Sequence, residues 1–165
     1  MASQKQNRML TAGEKAPEFK LRDLSGREQT RSGIADGHPV VLAFFKVSCP
    51  TCQYALPYIE RLYRRKTSRD IGIYAISQDD RESTREFRQE FGLTLPTLLD
   101  DEEDGFPASN DYGLSYVPSL FLVEADGKIS MSFMGFDKRG LEALGERLGA
   151  VPFDPGEQVP ELRPG

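Results

Sequence analysis

Tryptophan is absent from these 165 residues, histidine occurs once, at His38, and cysteine twice, at Cys49 and Cys52. One histidine and two cysteines leave a four-ligand zinc site of thiolates and imidazoles short of donors. Two cysteines this close together also cannot form the multi-bridge framework of small secreted proteins. No apolar run approaches the roughly 18 residues that a membrane-spanning helix needs, and the polar start Met1–Leu10 lacks the apolar stretch of a signal peptide. A cytoplasmic protein is expected, with export after loss of a leader as the alternative. Positive charge is not in excess either: 21 Lys and Arg against 26 Asp and Glu give a net charge of −5. The basic residues are interleaved with acids, so nucleic acid is not an expected partner.

What is present suits one domain with a core of its own, at 38% hydrophobic and 28% charged residues. A lead-in over 1–12 precedes a domain over 13–150, and 151–165 is a proline-rich tail expected to be mobile, with Pro152, Pro155, Pro160 and Pro164. Phe19–Leu24 alternates apolar and polar residues before a Ser25-Gly26 turn and Glu28–Thr30, which predicts a hairpin. Residues 32–37 read as a turn-rich connection into Val40–Phe45, a run short enough to be a strand buried on both faces. A helix is predicted from Pro50 to Lys66. Leu56, Ile59, Leu62 and Tyr63 lie on one side of it, Glu60, Arg61, Arg64 and Arg65 largely on the other, and Pro57 falls inside as a source of a kink. A strand at Ile71–Ser77, a helix at Arg81–Phe91 stopped by Gly92, and a short strand at Thr97–Leu99 follow. Asp100–Gly105 reads as a solvated acidic loop. Ser119–Val123 and Lys128–Met134 flank a hairpin turn, and Leu141, Leu144 and Leu148 mark a last helix over Lys138–Leu148. Strands alternating with helices predict a parallel central sheet, to which the closing hairpin adds antiparallel strands.

The chemistry is concentrated in Cys49-Pro50-Thr51-Cys52, placed where a strand turns into a helix. A sulfur at a helix N-terminus meets unpaired N–H groups and the positive end of the helix dipole, both of which favour a thiolate. A structural disulfide across so short a loop contributes only about 2 kcal/mol, against about 3 for a 15-residue loop. A zinc site lacks two ligands. Of these three readings, a redox dithiol is the favoured one.

Several segments resemble the redoxin group of the thioredoxin fold, close to TlpA/ResA-type thiol-disulfide oxidoreductases and the AhpC/TSA peroxiredoxins. Gly13-Glu14-Lys15-Ala16-Pro17-Glu18-Phe19 resembles the group's opening, and Val40–Cys52 its strand, turn and active-site helix, with Pro57 at the kink position. Phe91–Asp100 resembles the segment before its inserted short strand, and Tyr112–Leu122 its cis-proline region. The resemblance covers about residues 13–148. It implies an α/β fold, a thioredoxin-like three-layer sandwich with a mixed central sheet and an N-terminal hairpin. It also implies a cis Val117–Pro118 peptide facing the dithiol, with Cys49 as nucleophile, Cys52 as resolving thiol, and Val117, Pro118, Pro50 and Thr51 in contact with substrate. The implied partners are a disulfide-bearing protein or small thiol substrate and an electron donor. No metal is expected, and no cofactor beyond the redox-active Cys49–Cys52 disulfide.

The chain departs from the group in three places. Ala43 stands where thioredoxins keep a buried Asp, Ala55 where ResA-type proteins keep a Glu, and Ser48 where a tryptophan usually precedes the first cysteine. Lys46 is a candidate for tuning the nearby thiols. The alternatives are a peroxiredoxin-like thiol peroxidase and a non-catalytic thioredoxin-like binding module. The peroxidase needs Pro-x-x-x-Thr/Ser-x-x-Cys; counting back gives Lys46 and Leu42 from Cys49, and Cys49 and Phe45 from Cys52, so neither frame carries it. His38 is isolated in a turn before Pro39.

Overall fold

The computed structural model describes residues 8–165. Most of the expected lead-in lies outside them. Of its described part, Leu10 N donates to Tyr112 O at 3.1 Å and Ser132 Oγ to Leu10 O at 2.9 Å, which ties the segment to the body.

The chain forms β1 (Lys20–Asp23), β2 (Glu28–Thr30), α1 (Arg31–Ala35), β3 (Val40–Phe45), α2 (Pro50–Arg65), β4 (Gly72–Ser77), α3 (Arg81–Glu90) and β5 (Thr97–Leu99). A 3-10 turn (Glu102–Asp104) leads to α4 (Pro107–Asp111), β6 (Ser119–Val123), β7 (Ile129–Met134), β8 (Phe136–Asp137), α5 (Lys138–Leu148) and β9 (Leu162–Arg163). Seven strands make one sheet in the order β2-β1-β5-β4-β3-β6-β7. The three central strands β5, β4 and β3 run parallel, and the two hairpins extend the sheet antiparallel at its edges.

β3 lies inside the sheet and every one of its residues is buried. Successive side chains of a strand point to opposite faces. Val41, Ala43 and Phe45 therefore pack with Leu56 of α2, Phe87 of α3 and Leu141 of α5. Val40, Leu42 and Phe44 face a second layer that includes Ala108 and Tyr112, with Ile34 and Ala35 of α1 at its margin. Phe44 touches the rings of Tyr112 and Phe121 at centroid distances of 5.5 and 5.8 Å. Helices on both sides of a mixed sheet give the three-layer sandwich. Side-chain oxygens cap the starts of three helices: Thr30 Oγ1 accepts from Gly33 N, Asp80 Oδ1 from Ser83 N, and Asp137 Oδ1 from Gly140 N.

Four local expectations differ from what forms. Residues 32–37 are not all turn, because the Thr30 cap lets the chain wind into α1. Asp100 is fully buried rather than part of a solvated loop. Its carboxylate accepts from Ala108 N at 2.9 Å, Ser109 N at 2.7 Å and Ser109 Oγ at 2.5 Å, satisfying the open N–H groups at the start of α4. Burial pushes the Asp100 carboxyl above its usual range, with these hydrogen bonds opposing. Glu60 is also buried, only 5% exposed, although the helical pattern places it on the polar side. It reaches across to the loop before β5, where it accepts from Thr94 N at 2.7 Å and Leu95 N at 3.0 Å.

The fourth difference is the segment 151–165, expected to be mobile. It lies along the body: Arg61 donates to Pro152 O and Glu157, Phe153 packs on Tyr58 with centroids 5.3 Å apart, and β9 pairs with β8.

Candidate functional site

Three chain segments meet at one edge of the sheet because of how the strands are directed. β3 and β4 are parallel and in register, Phe45 opposite Ser77, so the residues after each leave at the same edge. Such an edge, beyond the carboxyl ends of parallel strands, is where α/β sheets place ligands. β6 is antiparallel to β3 with Ser119 opposite Phe44, which brings the residues before β6 to that edge too. Lys46–Cys52, Gln78–Asp79 and Leu114–Pro118 are thereby gathered.

Cys49 is half-buried and caps α2, its Sγ accepting from Cys52 N at 3.2 Å. Pro50 at the first helical position is exposed and costs no hydrogen bond, because that N–H would have no partner in the helix. The Cys49 thiol donates to Val117 O at 3.5 Å. The Val117–Pro118 peptide is cis, as the resemblance implies, and faces the thiol. Cys52 lies one turn into α2 and is completely buried. Burial pushes the Cys52 thiol strongly up; a hydrogen bond from the Lys46 backbone opposes this, and interactions with Cys49 and Asp79 add to it. Ala43 and Ala55 belong to the same buried cluster as Cys52 and leave no carboxylate at either position.

Lys46 is exposed and lines, with Cys49, Gln78, Leu114, Val117 and Gly165, a cleft of about 290 Å³. Thr51, the remaining expected contact, is buried, and its hydroxyl donates to Pro164 O at 2.7 Å. The structure thus brings Cys49, Cys52, Pro50, Thr51, Val117, Pro118 and Lys46 to one place. It adds residues that the sequence reading passed over. Asp79 Oδ2 accepts from Val47 N at 2.8 Å and Gln53 Nε2 donates to Val47 O at 2.9 Å, so both fix the turn that carries Cys49. Their signal is positional: residues just beyond a parallel strand beside the cysteine strand belong to the same edge.

A selective labelling result follows from the burial of the two sulfurs. Brief treatment of the reduced protein with iodoacetamide at neutral pH is expected to alkylate Cys49 and spare Cys52, since only thiolate reacts and the buried thiol stays protonated. Peptide mass mapping reads the outcome, and equal labelling of both residues would contradict it.

The chain is similar to known proteins over most of its length. The sequence profile of the AhpC/TSA family matches residues 12–132. Thiol-disulfide oxidoreductase ResA of Geobacillus thermodenitrificans (strain NG80-2) is 30% identical over 127 residues, covering 76% of this chain and 71% of that one. The ResA of Halalkalibacterium halodurans is 31% identical over 119 residues, with 72% and 65% covered. Among solved structures, the thioredoxin domain of a thiol-disulfide oxidoreductase from Bacteroides vulgatus superposes with a TM-score of 0.73 at 23% identity, covering 84% of this chain and 97% of that one. A putative thiol:disulfide interchange protein DsbE from Chlorobium tepidum gives 0.72 at 22% identity, with 84% and 95% covered. These last two establish the thioredoxin fold.

Proposed function

Because this chain belongs to the AhpC/TSA family, we infer from its Cys-x-x-Cys pair and its ResA relatives that it is a thiol-disulfide oxidoreductase. The observation that carries the reading is the division between the sulfurs: Cys49 opens to a cleft beside Val117, and Cys52 sits buried one turn behind it.

The roles follow from that division. The Cys49 thiolate attacks one sulfur of a substrate disulfide, forming a Cys49–substrate bond and releasing the first substrate thiolate. Cys52 then attacks Cys49 Sγ, the Cys49–Cys52 bond forms, and the second substrate thiolate departs. Two electrons pass from the dithiol to the substrate, and an external dithiol donor restores the pair. With Ala43 and Ala55 beside it, Cys52 gives up its proton to the departing thiolate or to water rather than to a carboxylate at those positions. Val117 and Pro118 stand beside Cys49 where a substrate disulfide is met, and Pro50 and Thr51 are the two residues between the cysteines. Among the described residues no helix is long and apolar enough to cross a membrane.

Pre-reduced protein mixed with an excess of hydroxyethyl disulfide is expected to lose both thiols and finish with Cys49 linked to Cys52 in the peptide map. Retention of both thiols would sink the oxidoreductase reading. With hydrogen peroxide in place of the disulfide, the reaction is expected to be slow. The position corresponding to a peroxidatic cysteine is the buried Cys52, and Cys49 stands where a peroxidase keeps its activating hydroxyl. Rapid sulfenate formation at Cys52 would favour the peroxidase instead.

A further inference from the structure

The exchange mechanism leaves the segment Glu161–Gly165 unused, yet that segment runs along the edge a substrate needs. Leu162 and Arg163 pair with Asp137 and Phe136, and Lys138 N donates to Glu161 O at 3.0 Å. The Arg163 guanidinium lies over the Tyr54 ring, 5.2 Å from its centroid. Beyond this anchor the chain crosses the cysteine helix, where Pro164 O accepts the Thr51 hydroxyl at 2.7 Å. Gly165 then sits against the Val117 backbone so closely that a Cβ at that position would overlap the Val117 carbonyl. Thr51 and Val117 are two of the residues assigned above to substrate contact. The segment has taken the Thr51 hydroxyl and stands on Val117.

What stays open is the cleft of about 290 Å³ lined by Lys46, Cys49, Gln78, Leu114, Val117 and Gly165. That size is at the lower end of small-molecule sites, which run from about 300 to 1,000 Å³. An extended protein segment adds to a backbone edge through main-chain hydrogen bonds along its length. Such a segment and Gly165 cannot both occupy the Val117 edge. A low-molecular-weight disulfide needs only the cleft.

We propose that residues 161–165 are a strap that closes the Val117 edge to protein disulfides and leaves Cys49 to low-molecular-weight ones, so that this segment sets the substrate class. The proposal rests on the oxidoreductase reading. The strap is held from one side only: each residue from Glu161 to Gly165 is exposed, and Leu162 at 62% contributes nothing to the core. Its removal therefore leaves the sandwich in place.

The test uses the full chain, a form lacking Pro164 and Gly165, and a form lacking 161–165; the first shortening keeps β9. Each is pre-reduced and mixed in a single turnover with hydroxyethyl disulfide or with insulin, quenched in acid, and its remaining thiols are counted by mass. Hydroxyethyl disulfide is expected to oxidise all three, and shortening is expected to raise the insulin rate at least tenfold more than it changes the hydroxyethyl disulfide rate. An insulin rate that is unchanged or lower in both shortened forms would overturn the strap. Failure of all three with hydroxyethyl disulfide would instead fail the exchange reading. Labelling of Cys49 separates the two results, since it needs no turnover: on shortening, the rate with a peptide-linked maleimide is expected to rise at least tenfold more than that with iodoacetamide. Equal acceleration of the two reagents, or of neither, counts against the strap.

Discussion

Replacing Cys52 by serine is expected to turn the protein into a trap that stops at the mixed disulfide. Cys49 remains half-exposed beside Val117, so it still attacks a substrate disulfide, but no sulfur stands behind it to complete the exchange. The adduct should appear on a non-reducing gel or in intact mass and vanish with dithiothreitol. Cys49→Ser has the opposite character. The sulfur it leaves is completely buried, and burial holds that thiol protonated. Turnover is expected to fall on the order of a thousandfold or more, because a buried neutral thiol is neither accessible nor nucleophilic. A Cys52→Ser protein that forms no adduct while the native chain turns over would refute the assigned roles. Cys49→Ser with near-native turnover would do so as well.

The second large effect is on stability, at Glu60. Its carboxylate accepts from Thr94 N, Thr94 Oγ1 and Leu95 N and pairs with Arg64 at 3.0 Å, holding the loop before β5 against the cysteine helix. Glu60→Ala leaves buried donors without an acceptor. Such losses cost about 1–3 kcal/mol per buried group, and breaking a buried charged network about 3–5. Arg64 is largely exposed and adds little. A total near 3 kcal/mol corresponds to a fall in Tm of roughly 10 °C for a chain of this size.

The same carboxylate predicts an acid dependence. Burial raises the Glu60 carboxyl, but hydrogen bonds from Thr94, Leu95 and Arg64 outweigh it and bring it below the usual value of 4.5. The unfolded chain therefore binds the proton more readily than the folded one as the pH falls. The Glu60 contribution is fully present above about pH 4.5 and is lost as the pH drops through the depressed value. The Tm difference between native protein and Glu60→Gln should shrink over that interval. A difference that stays constant down to pH 3, or a Glu60→Ala protein as stable as the native one, would contradict this account.

The elements that could be read from sequence are those whose signal is local. Val40–Phe45 is a short, wholly apolar run bounded by turn residues, and Leu141, Leu144 and Leu148 repeat at helical spacing; both produce the expected element. Cys49 and Cys52 were legible as a site because no other arrangement of two cysteines fits their spacing with an equally strong purpose. Glu60 and Asp100 depart from the sequence expectation for a common reason. A carboxylate reads as solvated unless its hydrogen-bond donors are known, and here those donors lie 34 and 8 residues further along the chain. Asp79 and Gln53 escaped notice because they act on the backbone of Val47, a residue that carries no chemistry itself. The packing of 151–165 depends on pairings such as Arg61 with Glu157, Phe153 with Tyr58 and Thr51 with Pro164, which no composition of the segment reveals.

The complete burial of Cys52 on the cysteine helix, against the sheet, makes it a clock for the molecule's opening. A reagent reaches that sulfur only in the fraction of molecules whose sheet and helix have parted. In the Cys49→Ser form, its labelling rate in native buffer reports the opening equilibrium of the central layer, without denaturant and without an optical probe. A chain with no tryptophan thus carries its own gauge of rigidity at the point where its chemistry is hung.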